Sequence, residues 1–555
     1  MNDSWLFHSG TIFDGGTVLD TASAVAVRDG RVIAVGTEAR VRALLPNPDH
    51  DVHLGTRALT PGFTDAHVHT VMGGVESLAC DLSGAAGIQE VLETISGFAA
   101  SHPGQWITGG GWSMSDFPGG NPTAEQLDAV VPDRPAYLLN RDHHGAWVNS
   151  AALKLAGITA QTPDPSDGRL ERDSFGNPTG ALHEGAMDLV TKFIPGPEAA
   201  TLRAGLLAGQ SYLHSFGITG WQEAILGSYA GYPDVSTAYR GLISEGLLTG
   251  QATGALWVPR DTTLKDIPAL VENFLARRFA NAAAGFRTTS AKIMVDGIAE
   301  NQSAAMLEPY LRTCDCAPDA PENSGLQYLE REVLLAVATA LDAAGFDLHL
   351  HVIGDAAARL GLDAIAAART ANGATGGRHH LAHLQIIHPD DVPRFGALGL
   401  SINAQALWAC NDDQMLELTN PILGAERLGW QYPFRSLIDS GAHLVMGSDW
   451  SVSTPNPWEA IHVAVNRTHP DYPDVEPLVA DQAITLLEAM RAYTQGSAWI
   501  NRDHEGGRIR PGARADLVLL DSDPFALASD DLHAVGVELT LAAGRAVYER
   551  TAVCG

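Results

Sequence analysis

Short apolar runs separated by turn residues open the chain. Trp5-Leu6-Phe7-His8, Ala24-Val25-Ala26-Val27 and Arg31-Val32-Ile33-Ala34-Val35 are each strand-length, and Asp29-Gly30 stands between the last two. Asp-Gly between apolar runs predicts a tight β-hairpin, because its two turn positions need left-handed backbone. The same texture returns at the other end of the chain. Residues 515–520 read as a strand, and 537–541 and 546–548 flank Ala542-Ala543-Gly544-Arg545 as a second hairpin. The two strand-rich ends, residues 1–59 and 491–555, predict one small β-sandwich built from both.

Between them, over residues 60–490, apolar strands alternate with Ala- and Leu-rich helical stretches. Helix 334–344 leads to strand 346–353 and helix 356–371. Strand 380–385, a helix through Val392-Pro393-Arg394-Phe395, strand 400–404 and a final strand running to Asp449 follow. Repeated βα units predict a parallel sheet, and their number suits an α/β (β/α)8 TIM-like barrel. Residues from about 75 to 210 break the rhythm. They are rich in Gly, Trp and Pro, as in Gly109-Gly110-Gly111-Trp112 and Phe117-Pro118-Gly119-Gly120, and read as a large insertion after the first barrel strand.

Composition narrows the partners. The net charge is −30 with no Lys/Arg-rich block, which disfavours nucleic acid and anionic membranes. No apolar run reaches the roughly 18 residues of a membrane helix. The first residues lack a basic region followed by an apolar stretch, so no signal peptide and a cytoplasmic location are expected. Five scattered cysteines do not make a disulfide framework, and Cys314-Asp315-Cys316 lacks the second pair of a structural zinc site. The expected partner is a small-molecule substrate. Oligomeric state is left open, a homodimer being compatible with the sequence.

Polar residues that end barrel strands carry the chemistry. Pro61-Gly62-Phe63-Thr64-Asp65-Ala66-His67-Val68-His69 places two imidazoles at i and i+2, on one face of a strand. A lone His-x-His also occurs in ordinary sheets. Here, however, Lys292, His351, His383 and Asp449 each follow or close an apolar run too, and in a barrel all such ends face one side. Four imidazoles, an amine and a carboxylate around one cavity suit a divalent metal. His349 shares a strand face with His351 and could replace it as a ligand, but His351 is nearer the strand end. His379 and His380 read as packing or surface residues. A buried Lys292 would have a lowered pKa and a nucleophilic amine, able to take up CO2 as a carbamate that bridges two cations. Asp449 is placed both to bind metal and, as a catalytic base, to take a proton from water.

This motif set resembles the amidohydrolase superfamily and, within it, the YtcJ-like branch (Amidohydrolase 3 family) that includes N-substituted formamide deformylases. The resemblance runs through 61–69, Gly109-Gly110-Gly111-Trp112, Arg141-Asp142-His143-His144, Trp147-Val148-Asn149-Ser150, 292–297, 351–355, His383-Leu384-Gln385, Gly447-Ser448-Asp449 and 515–519. It implies one or two zinc ions. His67, His69 and Asp449 would hold one, and an N6-carboxylated Lys292 would bridge to a second on His351 and His383. Two departures stand out. The branch often has Asp-Gly-His where this chain has Asp142-His143-His144, and a glutamate where Ala382 precedes His383.

The insertion and the strand ends supply candidates for substrate contact: Trp112, His144, Asp296 and Trp450. The function expected is hydrolysis of a carbon–nitrogen bond other than a peptide bond, in an N-substituted amide or formamide, by metal-activated hydroxide. Hydrolysis of a cyclic amide, ester or lactone, or an isomerisation, on the same site is the alternative. A non-enzymatic scaffold should have lost ligands, and all six are present.

Overall fold

The computed structural model describes residues 3–312 and 322–550. Cys314, Cys316 and Cys554 lie outside them. Eight strands form the central sheet: β1 (Phe63–Val68), β2 (Ile218–Leu226), β3 (Gln251–Trp257), β4 (Arg287–Met294), β5 (Asp347–Val352), β6 (His380–His383), β7 (Ser401–Ala404) and β8 (His443–Met446). They pair in that order, every neighbour parallel. β8 returns to β1 through bonds just past the strand ends: Asp449 N donates to His67 O at 2.8 Å and His69 N to Trp450 O at 2.7 Å. The sheet is a (β/α)8 barrel, as the alternation of apolar strands and helices predicts. β1, β5, β6 and β7 are buried along their whole length, as strands with helices outside and packed side chains inside must be. The helices turn one apolar face to the sheet. In Arg331–Ala343 that face is Val333, Leu334, Val337, Ala338 and Leu341.

Two further sheets are built from the chain ends. Arg31–Gly36, Ala24–Arg28, Trp5–His8 and His50–His53 form one; Thr11–Ile12, Ala58–Pro61, Leu517–Leu520, Val537–Ala542 and Arg545–Glu549 form the other. Phe7, Val25 and Leu59 share a core with Leu517, Leu539 and Leu541, so neither end buries its apolar face alone. Both predicted hairpins turn in left-handed backbone, at Asp29 (φ 53°) and Gly30 (φ 76°) and at Ala543 (φ 47°) and Gly544 (φ 76°).

The irregular stretch after β1 has a sheet of its own. Its six strands run in the order Gly168–Arg172, Pro178–Glu184, Gly145–Val148, Ala136–Asn140, Ile107–Trp112, Cys80–Asp81. Its glycines serve close backbone approach: a Cβ on Gly109 would strike the Cys80 carbonyl of the next strand. The stretch leaves the barrel after helix Thr70–Glu76 and rejoins it at helix Ala199–Ser215. These two helices cross at Gly74 and Gly205, where a Cβ on Gly74 would collide with the Gly205 carbonyl. Arg141, Asp142, His143 and His144 of the inserted sheet line the same cavity as the barrel's strand ends, so this sheet lies over the C-terminal mouth. No helix among the described residues is long and apolar enough to cross a membrane.

Candidate metal centre

The six strand-end residues converge. Asp449 Oδ1 lies 3.2 Å from His67 Nε2 and 3.1 Å from His69 Nε2. Lys292 Nζ is 3.3 Å from His67 Nε2. His383 Nδ1 is 3.8 Å from Asp449 Oδ2, and the His383 ring is 4.4 Å from that of His351. All six line one cavity of about 190 Å3. Two of the six have strained backbone: His383 (φ 77°) and Asp449 (φ 56°) are both left-handed, a conformation costing about 1–3 kcal/mol each that persists where the surroundings enforce it.

Burial sets the charge states. It lowers His67 to about 3, helped by the Lys292 charge, and takes His351 and His383 well below the usual range. All three are therefore neutral at pH 7, as a metal-binding imidazole must be. Asp449 goes the other way. Burial disfavours its charge, but His67, His69 and His383 outweigh that and hold the carboxyl well below the ordinary value. Burial also lowers Lys292 to about 7, opposed by Asp449.

The donor set fits a divalent cation. One ligand atom from each of His67, His69 and Asp449 can fall within 4.8 Å of the other two. Both ring nitrogens of His383 and Oδ1 of Asp449 are buried without hydrogen-bond partners, a costly state that a cation would relieve. His351 Nε2 donates to the Gly297 carbonyl at 3.2 Å, which leaves Nδ1 with the lone pair.

Supporting groups surround the cluster. Gln405 Oε1 accepts from His383 N at 2.8 Å, and Trp408 stacks on the His383 ring at 5.3 Å. Ala382 thus removes a carboxylate without leaving His383 unsupported. The paired imidazoles His143 and His144 both line the cavity. His144 Nδ1 is 2.8 Å from Glu184 Oε1, and His143 Nε2 is 3.1 Å from Glu76 Oε2. Burial works against charge on both rings, yet the Glu184 and Glu76 carboxylates outweigh it and raise their pKa values.

Three of the four expected substrate contacts lie off the cavity wall. Trp112 is in the core of the inserted sheet, its Nε1 donating to Leu138 O at 3.0 Å and its ring against Phe117 and Trp147. Trp450 packs outward on Tyr212, with Gly73 directly beneath its ring. Asp296 is fully buried and accepts from Ala305 N, Ile353 N and Gly354 N, tying the loop after β4 to the turn after β5. Aromatic and acidic residues near a motif marked these positions, but burial decided them. Only His144 reaches the cavity. Not singled out were Glu300 and Asp412 on its wall, and Glu76 and Gln222, which contact His143 and His349. Gln222 carried a signal, standing beside Glu223 as one of two adjacent polar side chains inside a fully buried strand. His379 and His380, read as packing or surface residues, are both fully buried.

The Amidohydrolase family matches residues 52–548. The chain belongs to this family. It is 30% identical to the protein LONG AFTER FAR-RED 3 of Arabidopsis thaliana over 98% of this chain and 91% of that one. It is 29% identical to an N-substituted formamide deformylase of Arthrobacter pascens over 96% of this chain and 95% of the relative. Among solved structures, an uncharacterized metal-dependent hydrolase from Pyrococcus horikoshii superposes with a TM-score of 0.70 at 23% identity, covering 95% of this chain and 99% of that one, which speaks for the fold. As a member of the amidohydrolase family the chain is a hydrolase, and its His67/His69/Asp449 cluster is one that a divalent metal fits.

Proposed function

We propose that this amidohydrolase cleaves the C–N bond of an N-substituted amide or formamide, with zinc as its metal. The observation that carries the reading is the convergence of His67, His69 and Asp449 beside Lys292, His351 and His383 at the mouth of the barrel. The similarity to an N-substituted formamide deformylase supports the substrate class. Imidazole and carboxylate donors suit zinc. His67, His69 and Asp449 would hold one ion, and a carboxylated Lys292 with His351 and His383 a second. When bound, the cation supplies a Lewis acid for the carbonyl and lowers the pKa of water to about 7.

The remaining work belongs to the chain. Asp449 stays ionised, so it is a proton acceptor beside the reacting carbonyl and returns that proton to the leaving amine. Lys292, with a pKa near 7, has a substantial neutral fraction at physiological pH, the form that reacts with CO2. Arg141, Asp142, His143 and His144 of the inserted sheet line the cavity, and Glu184 holds the His144 ring in place there, where it would orient the substrate.

The test is turnover of a panel of N-substituted formamides and amides, with product identification, by zinc-loaded protein and by His67→Ala. Turnover confined to the unaltered protein is expected. Equal rates in both would overturn the reading.

A further inference from the structure

Behind the centre, four buried side chains form a single file. Asn501 Oδ1 accepts from Gln222 Nε2 at 3.0 Å, Gln222 Oε1 is 2.7 Å from His349 Nδ1, and His349 Nε2 is 2.9 Å from His67 Nδ1. Gln222 and His349 are fully buried, His67 is 1% exposed and Asn501 2%. Gln222 projects from β2, His349 from β5 and His67 from β1. Asn501 follows helix Ser497–Ile500. Neither Gln222 nor His349 lines the cavity.

Such a file has a direction. An amide oxygen only accepts and an amide nitrogen only donates, whereas a neutral imidazole donates from one nitrogen and accepts at the other. With Gln222 Oε1 facing His349, the His349 proton is on Nδ1 and its Nε2 must accept. The His67 proton is then on Nδ1, and His67 Nε2 presents its lone pair to Asp449 and Lys292. Turning the amide reverses every bond. It would put the His67 proton on Nε2, facing the centre, and remove that ring as a ligand.

We propose that Gln222 and His349 are positioning residues that lock His67 in the tautomer able to bind a cation. The proposal rests on the reading of His67 as a metal ligand given above. It involves no change in the number of protons on any group. It differs from simple filling of the barrel interior, because it depends on which end of the Gln222 side chain accepts.

Two substitutions separate these roles. Gln222→Met keeps the length and fills the space but neither donates nor accepts. Gln222→Glu, in its ionised form, can only accept and so imposes the same direction on His349. Zinc affinity is read by chelator competition on metal-stripped protein, with circular dichroism confirming the fold. Gln222→Met is expected to weaken binding by about 10–100-fold, the usual effect of removing a partner behind a ligand. Gln222→Glu is expected to keep the unaltered affinity or exceed it. Unchanged affinity in Gln222→Met, or equal loss in two folded variants, overturns the proposal. His67→Ala with undiminished zinc affinity would instead overturn the parent reading. If a variant does not fold, neutron diffraction from crystals of the zinc-loaded natural protein decides. Deuterons on His67 Nδ1 and His349 Nδ1 support the lock, and a deuteron on His349 Nε2 overturns it.

Discussion

The carboxylate of Asp65, on the first barrel strand, accepts both the backbone and the hydroxyl hydrogens of Ser448, just past the last. Ser448 N lies 3.1 Å from Oδ1, and Ser448 Oγ is 2.6 Å from Oδ2. The same Oδ1 accepts from His67 N at 2.9 Å. One buried side chain thus closes the barrel and sets the spacing of His67 and Asp449, two residues further along one strand and one residue beyond Ser448. Ser448→Ala removes the hydroxyl bond to Oδ2, which keeps Ser448 N at 3.2 Å, and leaves the buried Trp450 N without its Ser448 Oγ acceptor, at about 1–3 kcal/mol. We expect a lower melting temperature and reduced zinc occupancy. Asp65→Ala, which also strands Ser448 N and His67 N, should do worse on both, by differential scanning fluorimetry and elemental analysis.

Asp449 is assigned two duties, ligand and base. Asp449→Asn preserves shape and one oxygen but cannot take a proton. Turnover is expected to fall by about 100–10,000-fold, the usual contribution of a general base. Zinc content measured on the same sample separates the duties: a variant that keeps its zinc and loses turnover identifies the base.

Lys292 gives a pH-dependent prediction. Only the neutral amine reacts with CO2, and burial lowers its pKa to about 7. Recovery of CO2-stripped protein in bicarbonate should therefore speed up as pH rises through 7 and level off above it. Protein treated with 13C-bicarbonate should show a carbamate resonance, and Lys292→Met should lack it.

The pocket residues should split cleanly. Trp112 is 2% exposed in the core of the inserted sheet, so Trp112→Ala should cost about 3–5 kcal/mol of stability there while KM of the folded fraction stays put. His144→Ala removes a cavity-lining ring and should raise KM or lower kcat in the folded fraction, with some loss of stability as well, because buried Glu184 loses its partner at 2.8 Å.

That contrast shows what was legible in the sequence. The barrel, the sandwich from both ends and the convergence of His67, His69, Lys292, His351, His383 and Asp449 could all be read, because strand ends in a parallel barrel share one face. Asp29-Gly30 announced its turn because few residue pairs tolerate two left-handed positions. Trp112, Asp296 and Trp450 could not be placed. Whether a tryptophan in a Gly-rich stretch faces a cavity or a core depends on strand pairing within the insertion, as Trp112 against Leu138 shows, and that pairing left no mark in local pattern. Gln222 and Glu76 act through partners 127 and 67 residues away, His349 and His143, a relation that local spacing cannot carry.

Away from the centre, His214 should control acid stability. It ends helix Ala199–Ser215, with Nδ1 donating to Ile218 O at 2.9 Å and Nε2 2.8 Å from Thr249 Oγ1. Its carbonyl accepts from Thr540 Oγ1 at 2.8 Å, tying the barrel to the sandwich. Burial lowers its pKa from 6.5 to about 4, offset in part by the Ile218 carbonyl. Between these values the unfolded chain binds a proton that the folded one refuses. The His214 contribution to stability is therefore full above pH 6.5 and falls by about 1.4 kcal/mol per unit as pH drops towards 4, or about 3 kcal/mol in all. His214→Asn keeps a donor for Ile218 O but cannot titrate. It should be less stable than the natural protein at pH 7 and close that gap, or reverse it, near pH 4. Urea midpoints of metal-stripped protein at the two pH values check this. The barrel-centre imidazoles, also held low by burial, are common to both proteins and cancel in the difference, so a gap of constant size would remove His214 as the cause.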